Sequence, residues 1–260
     1  MNLSYNSFYM RDKMFSAKTI HSGKIKALFE VIFNNTSTVC FTISEHGLFS
    51  EITTTSNALI CVELPSSCFE DYTFTFPEPQ HIGLGSHVNS FFKSLKTKTT
   101  VVLSMTKPYT LDIVSEDAGC TSSYSAAVIS AQNISPSASY CYEKPGFDVS
   151  CSNFNSMCKS FAKTSTLDVS KHEGTLSFSF ELSGIASKKL TFGQKDSADS
   201  SLYYQQFKSD GFLRIGKLSS FADKIKLFAE VDLPFLINAS SHLGTVKIYM
   251  RSSPSDQLCY

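Results

Sequence analysis

Apolar residues recur along this chain in two periods, and the switching between them organises the rest. At three places they stand at i, i+3, i+4 and i+7: Ile25, Leu28, Phe29 and Ile32; Val88, Phe91, Phe92 and Leu95; Phe154, Met157, Cys158 and Phe161. That spacing lays one apolar stripe along a helix, so it predicts three short amphipathic helices. A fourth, from Lys208 to Leu218, keeps only Phe212 and Ile215 on the stripe, and Gly211 and Gly216 weaken it. Elsewhere apolar and polar positions alternate, as in Thr73-Phe74-Thr75-Phe76 and Thr175-Leu176-Ser177-Phe178-Ser179-Phe180. Period two is the pattern of half-buried antiparallel strands.

The helices are copies of one another. Each carries an adjacent core pair (Leu28-Phe29, Phe91-Phe92, Met157-Cys158 and Ile215-Gly216), and successive pairs lie about 60 residues apart. After each pair the chain enters a β-patterned segment starting at Thr38, Thr100, Thr166 or Lys224. Thr followed by an aliphatic residue suits strand entry, because β-branched side chains fit the pleated backbone. Turn signals separate the strands: Glu45-His46-Gly47, His172-Glu173-Gly174 and His242-Leu243-Gly244 each place Gly before a new strand, and Lys107-Pro108-Tyr109 does so in the second copy. The unit is strand, short helix, then several antiparallel strands, four times over. The fold class is α+β, sheet-dominated, in two similar halves. Gly and Ser dilute the apolar pattern from Glu116 to Ser139, so the seam is expected there, with a linker at 130–139.

Composition narrows the function. The chain has 260 residues, 23 Lys+Arg against 23 Asp+Glu, and 42% hydrophobic content. It can bury a sizeable core, and any basic surface must be local. The start carries Arg11, Asp12 and Lys13 without an apolar run, and no stretch reaches the roughly 18 apolar residues of a spanning helix, so a soluble intracellular protein is expected. The eight cysteines (40, 61, 68, 120, 141, 151, 158 and 259) show no C-x2-4-C pair and mostly neighbour apolar residues, so we read them as reduced core residues, with no metal site. No G-x-S-x-G, P-loop, H-E-x-x-H or dinucleotide fingerprint occurs. Lys171-His172-Glu173 is no acid/base constellation, because consecutive residues splay to different sides. No enzyme activity and no cofactor are expected.

Several segments together resemble the proliferating cell nuclear antigen family of DNA sliding clamps. Phe15-Ser16-Ala17-Lys18 looks like the opening strand of the family. Glu70-Asp71-Tyr72 followed by Ile82-Gly83-Leu84 resembles its Tyr strand and h-Gly-h turn, where h is hydrophobic. Val231-Asp232-Leu233-Pro234-Phe235 and Gly244-Thr245-Val246-Lys247-Ile248-Tyr249-Met250 resemble its last two strands. The resemblance implies the DNA-clamp fold, two domains each built from two strand-helix-strands repeats. On this chain that gives an extension at 1–14, an N-terminal clamp domain at 15–129, a connector at 130–139, a C-terminal clamp domain at 140–251 and a tail at 252–260. It also implies a ring around duplex DNA with helices lining the hole, in the nucleus or in a viral replication compartment. The polar connector, Arg251-Ser252 after the last strand, the absence of net acidity and the extension all depart from the family, as a divergent lineage such as that of a large DNA virus would.

A channel of helices has a testable signature. The residue after each core pair sits roughly 140° from the centre of the apolar stripe. It is Glu30, Lys93, Lys159 and Lys217 in the four copies, and Lys26, Lys163 and Arg214 stand nearby. Lys26, Lys93, Lys159, Lys163, Arg214 and Lys217 are therefore the candidate DNA-binding residues, binding phosphates without reading sequence. For partners, the resemblance implies a pocket beneath the connector that takes an aromatic plug from short peptide motifs of DNA polymerase and other replication proteins. The matching positions are Ala58, Ile60, Ile134, Pro234 and Tyr249. A homotrimer would close by pairing the strand at Ser122 to Ile129 with that at Ser187 to Phe192, since open sheet edges demand partners. Two other readings stay open: a clamp-fold scaffold in a hetero-assembly, such as a checkpoint clamp or viral transcription factor, and a non-ring processivity factor held on DNA by charge.

Overall fold

The computed structural model describes residues 13–56, 58–117, 119–130, 140–182, 186–195 and 202–252. In chain order the first half holds β1 (Phe15–Thr19), α1 (Ser22–Asn35), β2 (Thr38–Ser44), β3 (Gly47–Thr53), β4 (Ala58–Pro65), β5 (Asp71–Phe74), β6 (Gln80–Gly85), α2 (Asn89–Ser94), β7 (Thr100–Lys107), β8 (Thr110–Asp117), β9 (Cys120–Ala127) and β10 (Ile129–Ser130). The second half holds β11 (Phe147–Val149), α3 (Cys151–Ser160), β12 (Thr166–His172), β13 (Thr175–Leu182), β14 (Ala186–Gly193), β15 (Tyr203–Lys208), α4 (Ser209–Arg214), α5 (Leu218–Phe221), β16 (Lys224–Phe228), β17 (Phe235–Ser241) and β18 (Gly244–Met250).

The strands form three antiparallel sheets, in the orders β5-β1-β7-β8-β9, β10-β6-β2-β3-β4-β18-β17-β16-β11 and β14-β13-β12-β15. The nine-stranded sheet joins the halves where β4 pairs with β18, Ile60 opposite Ile248. Both neighbours of β4 begin with glycine beside its end. A Cβ on Gly47 would lie 2.2 Å from the Leu64 carbonyl oxygen, and one on Gly244 2.2 Å from that of Glu63. Both glycines also have positive φ, which other residues rarely adopt.

The repeat read from the apolar pattern is present in the registers. β2 pairs with β6 from Thr38–Gly85 to Ile43–Gln80, and β12 pairs with β15 from Thr166–Lys208 to Lys171–Tyr203, the same alignment one half later. Each helix turns its stripe onto the core. The core pairs of the first two copies meet directly, with Phe29 and Phe92 stacked at 3.7 Å. In the second half Phe212 touches Phe161, Phe178, Phe207 and Phe235 at centroid distances of 5.6, 6.0, 5.9 and 6.1 Å. Each such pair adds about 0.5–1.5 kcal/mol beyond area burial.

Several expectations need correction. The fourth helix is broken into α4 and α5 by a turn at 215–217. Gly211 leaves room there for the Met250 methyl group, which would lie 2.9 Å from a Cβ at that position. Within the expected seam, Glu116 and Asp117 end β8 and the Ser-rich stretch forms β9, a largely exposed edge strand; of the linker expected at 130–139, Ser130 ends β10 and 131–139 lie outside the described residues. The expected edge strand over Ser122 to Ile129 stops at Ala127, and Ile129 belongs to β10 on another sheet. Ile82-Gly83-Leu84 is not a turn but the middle of β6, where Gly83 admits β10: its Cβ would lie 3.4 Å from the Ile129 carbonyl oxygen. Val231 to Pro234 is not strand either, because Asp232 takes a positive φ of 64° and Pro234 lacks an N–H.

The cysteines are free among the described residues, but only Cys61 and Cys158 are buried, while Cys120 and Cys141 are exposed. Strand alternation explains the misreading. An apolar neighbour such as Val39 or Phe41 faces the core and so sends Cys40 to the other side.

Candidate nucleic-acid interface

The short helices lie side by side. α2 packs on α1, α1 on α5 and α4, and these on α3. The five helices carry Lys24, Lys26, Lys93, Lys159 and Arg214 against only Glu30 and Asp210, with Lys163 and Lys217 directly adjoining. On a chain of zero formal charge this is a local basic surface.

Of the four positions that follow the core pairs, two meet. Glu30 and Lys217, equivalent residues of the first and fourth copies, meet across α1 and the turn before α5 with Nζ to Oε2 at 3.3 Å. Lys93 at the α2 end of the row and Lys159 at the α3 end are exposed, as is Lys163 in the 3-10 turn after α3. None of these three ammonium groups has an ion-pair or hydrogen-bond partner among the described residues.

Lys26 and Arg214 are occupied otherwise. Lys26 Nζ donates to the carbonyls of Lys93 (2.5 Å) and Leu95 (3.2 Å), at the C-terminus of α2. Arg214 Nε donates to Asp210 at 2.7 Å and its Nη1 to the Asn34 carbonyl at 3.3 Å, at the C-terminus of α1. Lys24, which the helical spacing does not single out, donates to the Phe221 carbonyl at the end of α5 (3.0 Å) and to Asp223 (2.7 Å). Lys24 and Lys26 stand two residues apart on a helix, about 200° around it, and so reach its two neighbours on opposite sides. A cation at a helix C-terminus meets unsatisfied carbonyls and the negative end of the dipole. Sequence spacing cannot reveal this, because the carbonyls come from segments about 70 and 200 residues away.

The expected peptide pocket is divided by a sheet. Ala58 and Ile60 face the main core, beside Ile248 and Met250. Tyr249 points to the opposite face, where it clusters with Cys61 and Leu236, and where Leu59, Tyr140, Tyr142 and Phe228 pack against it. Tyr140 lies on Tyr249 with centroids 5.2 Å apart, and Tyr142 donates its hydroxyl to the Pro234 carbonyl at 2.5 Å. Pro234 thus borders the Tyr249 cluster, and Ile134 lies outside the described residues. Burial, then the carboxylate of Glu51, pushes the Cys61 thiol up to about 12, so it is an inert packing residue. Lys171 is buried with its ammonium 5.7 Å from the Phe147 ring centroid, and Glu173 pairs with Lys195 at 2.8 Å, so neither faces the other as acid and base.

Two half-chains of one plan, each with antiparallel sheets backing short helices that meet in a single row, make up the DNA-clamp fold. A solved structure with this fold is the proliferating cellular nuclear antigen from Entamoeba histolytica, which superimposes with a TM-score of 0.80 over 93% of this chain and 99% of that one, at 14% sequence identity. No protein-family model matches the sequence, and neither does any curated protein.

Proposed function

We propose that this chain is a subunit of a DNA sliding clamp, a non-enzymatic ring that encircles duplex DNA and tethers replication enzymes. The observation that carries the reading is the row of helices on a clamp fold, with Lys93, Lys159 and Lys163 exposed and unpaired among the described residues of an otherwise neutral molecule. Such contacts are sequence-blind, and alone they give dissociation constants of only about 10⁻⁴ to 10⁻⁶ M at physiological salt. Retention through a replication cycle therefore calls for topology. β9 and β14 each end a sheet among the described residues, and pairing one with the other on a neighbouring copy would close a homotrimer. The Tyr249 face, with Leu59, Leu236 and Tyr140, is the proposed seat for aromatic peptide motifs of client proteins.

One observation favours a hetero-assembly as the second reading. β14 carries Lys188 and Lys189, whereas β9 has no charged residue to receive them. Native mass spectrometry of the purified chain, with and without nicked circular DNA, tests both. A trimer that stays on circular DNA in high salt and slides off once the circle is cut supports the ring. A protein that remains monomeric and leaves circular and linear DNA at the same salt concentration refutes it.

A further inference from the structure

The repeat sets a strand joint inside the chain beside two free edges of the same plan. Inside, β4 pairs with β18. β14 matches β4 residue for residue: Gly47 opposite Pro65 recurs as Thr175 opposite Gly193, and Ile52 opposite Ile60 as Phe180 opposite Lys188. β9 matches β18 in the same way. Ile237 opposite Ile248 recurs as Ile113 opposite Tyr124, and Ser241 opposite Gly244 as Asp117 opposite Cys120. Among the described residues β14 and β9 each end a sheet, whereas their counterparts are joined.

Carrying the inner register across gives a register for an outer joint. Ile60 opposite Ile248 becomes Lys188 opposite Tyr124, and Ala58 opposite Met250 becomes Ala186 opposite Ala126. These pairs face the core, since Lys188 lies opposite buried Phe180 and Tyr124 opposite buried Ile113. On the outer face, Cys61 opposite Lys247 becomes Lys189 opposite Ser123. The outer joint therefore places a lysine where the inner one holds an isoleucine of zero exposure.

We propose that β14 of one copy pairs with β9 of a second copy in this register, and that Lys188 keeps the joint reversible. The proposal rests on the reading of the chain as a clamp subunit that closes with copies of itself. The edges fit. Lys188 already reaches toward the helices, donating to the Ser160 hydroxyl of α3 at 3.1 Å. Tyr124 is held against Phe91, with centroids 5.5 Å apart, and its ring can receive an ammonium group without carrying a charge. Lys189 arrives opposite Ser123 and in line with Val114, which stands between Asp112 and Glu116 on β8. The carboxylates that β9 lacks are thus one strand behind it. A slip of one residue would exchange the faces of the two lysines.

The weakness lies in Lys188. Closing the joint takes its ammonium out of water, and a ring and a hydroxyl offset that loss less than a carboxylate would. The inner joint buries two isoleucines at the same place. A closed ring must part somewhere to admit a duplex without free ends, and the joint with the buried cation parts first.

Two measurements on the purified chain, without DNA, test the register and the role of Lys188 separately. With the exposed Cys120 and Cys141 changed to Ser, Ser123→Cys combined with Lys189→Cys should link copies into dimers and trimers on mild oxidation. Ser123→Cys combined with Lys188→Cys, whose side chains leave opposite faces, should not. In sedimentation experiments Lys188→Ile should lower the dissociation constant of the assembly by about tenfold or more, and Lys189→Ile should change it by less than about threefold. Cross-linking through the second pair instead of the first, or equal effects of the two isoleucines, would overturn the proposal while leaving the trimer reading intact. A parent chain and a Lys188→Ile variant that both stay monomeric at high micromolar concentration would overturn both.

Discussion

Helices α1 and α3 hold equivalent places in the two halves, yet their lysines do different things. Lys24 and Lys26 reach sideways into the C-termini of α5 and α2, while Lys159 and the adjoining Lys163 meet no acceptor among the described residues. The reason lies in position within the row. α1 is central, with a helix on each side whose terminal carbonyls need donors, whereas α3 is at the end. A lysine on a helix surface therefore belongs to the packing wherever a neighbouring helix ends within its reach, and is available to a ligand only where none does. Glu30 follows the same logic, since the one acidic residue at the repeat-equivalent position neutralises Lys217 in the middle of the row.

The largest effect should come from turning the free ammonium groups against DNA. Reversing Lys93, Lys159 and Lys163 to Glu together should weaken binding to a short duplex by about two orders of magnitude at low salt, and the slope of log affinity against log salt should flatten by ~0.9 for each phosphate no longer neutralised. Fluorescence anisotropy over a salt series reads both. Lys26→Glu alone should leave the slope unchanged. If that variant flattens it as much as the triple variant, α1 and α3 do not differ in the way argued.

Stability should move in the opposite sense. Lys26→Met leaves the Lys93 and Leu95 carbonyls without their donor and removes a cation from the end of α2, at a cost of about 1–2 kcal/mol. Lys159→Met, at an exposed site without partners among the described residues, should stay within about 0.5 kcal/mol of the parent. Urea titrations of the two variants side by side make the comparison, and equal midpoints would erase it.

How much of this is legible in the sequence follows from the range of each interaction. Stripes such as Phe154, Met157, Cys158 and Phe161 are local, and so can be read. The β-branched strand entries at Thr38, Thr100 and Thr166 are local too, and all three open strands. The exposed face of Lys93 and Lys159 follows from the same helical geometry. What escapes is long-range or edge-dependent. The end of β9 at Ala127 is misplaced by two residues because an exposed edge strand needs no apolar alternation, and Val231 reads as strand because its left-handed neighbour Asp232 is invisible in composition. Ala58, Ile60 and Tyr249 read as one pocket, yet the pairing of β4 with β18 puts them on opposite faces. Nothing in the spacing of Lys26 distinguishes a cap on α2 from a phosphate ligand.

The smallest expected effect separates the two lysines of α1 from each other. Lys26 holds only carbonyls, which do not titrate, whereas Lys24 holds the Asp223 carboxylate as well as a carbonyl. Partial burial works against the charge on Asp223, but its hydrogen bond and ion pair with Lys24, helped by the His242 backbone N–H at 3.1 Å, outweigh burial and hold the carboxyl below its ordinary value. A depressed carboxylate stabilises the fold above the unfolded-state pKa, and that contribution fades as pH falls through the lower, folded value. The side chain is nearly half exposed, so solvent keeps the gain small. Below the ordinary carboxylate range, near pH 4 and downward, the penalty for Lys24→Met should shrink toward that of losing its carbonyl partner alone, while the penalty for Lys26→Met stays level. Melting temperatures of both variants and the parent between pH 3 and 7 provide the measurement. Parallel curves for the two variants would mean that Asp223 contributes nothing through Lys24.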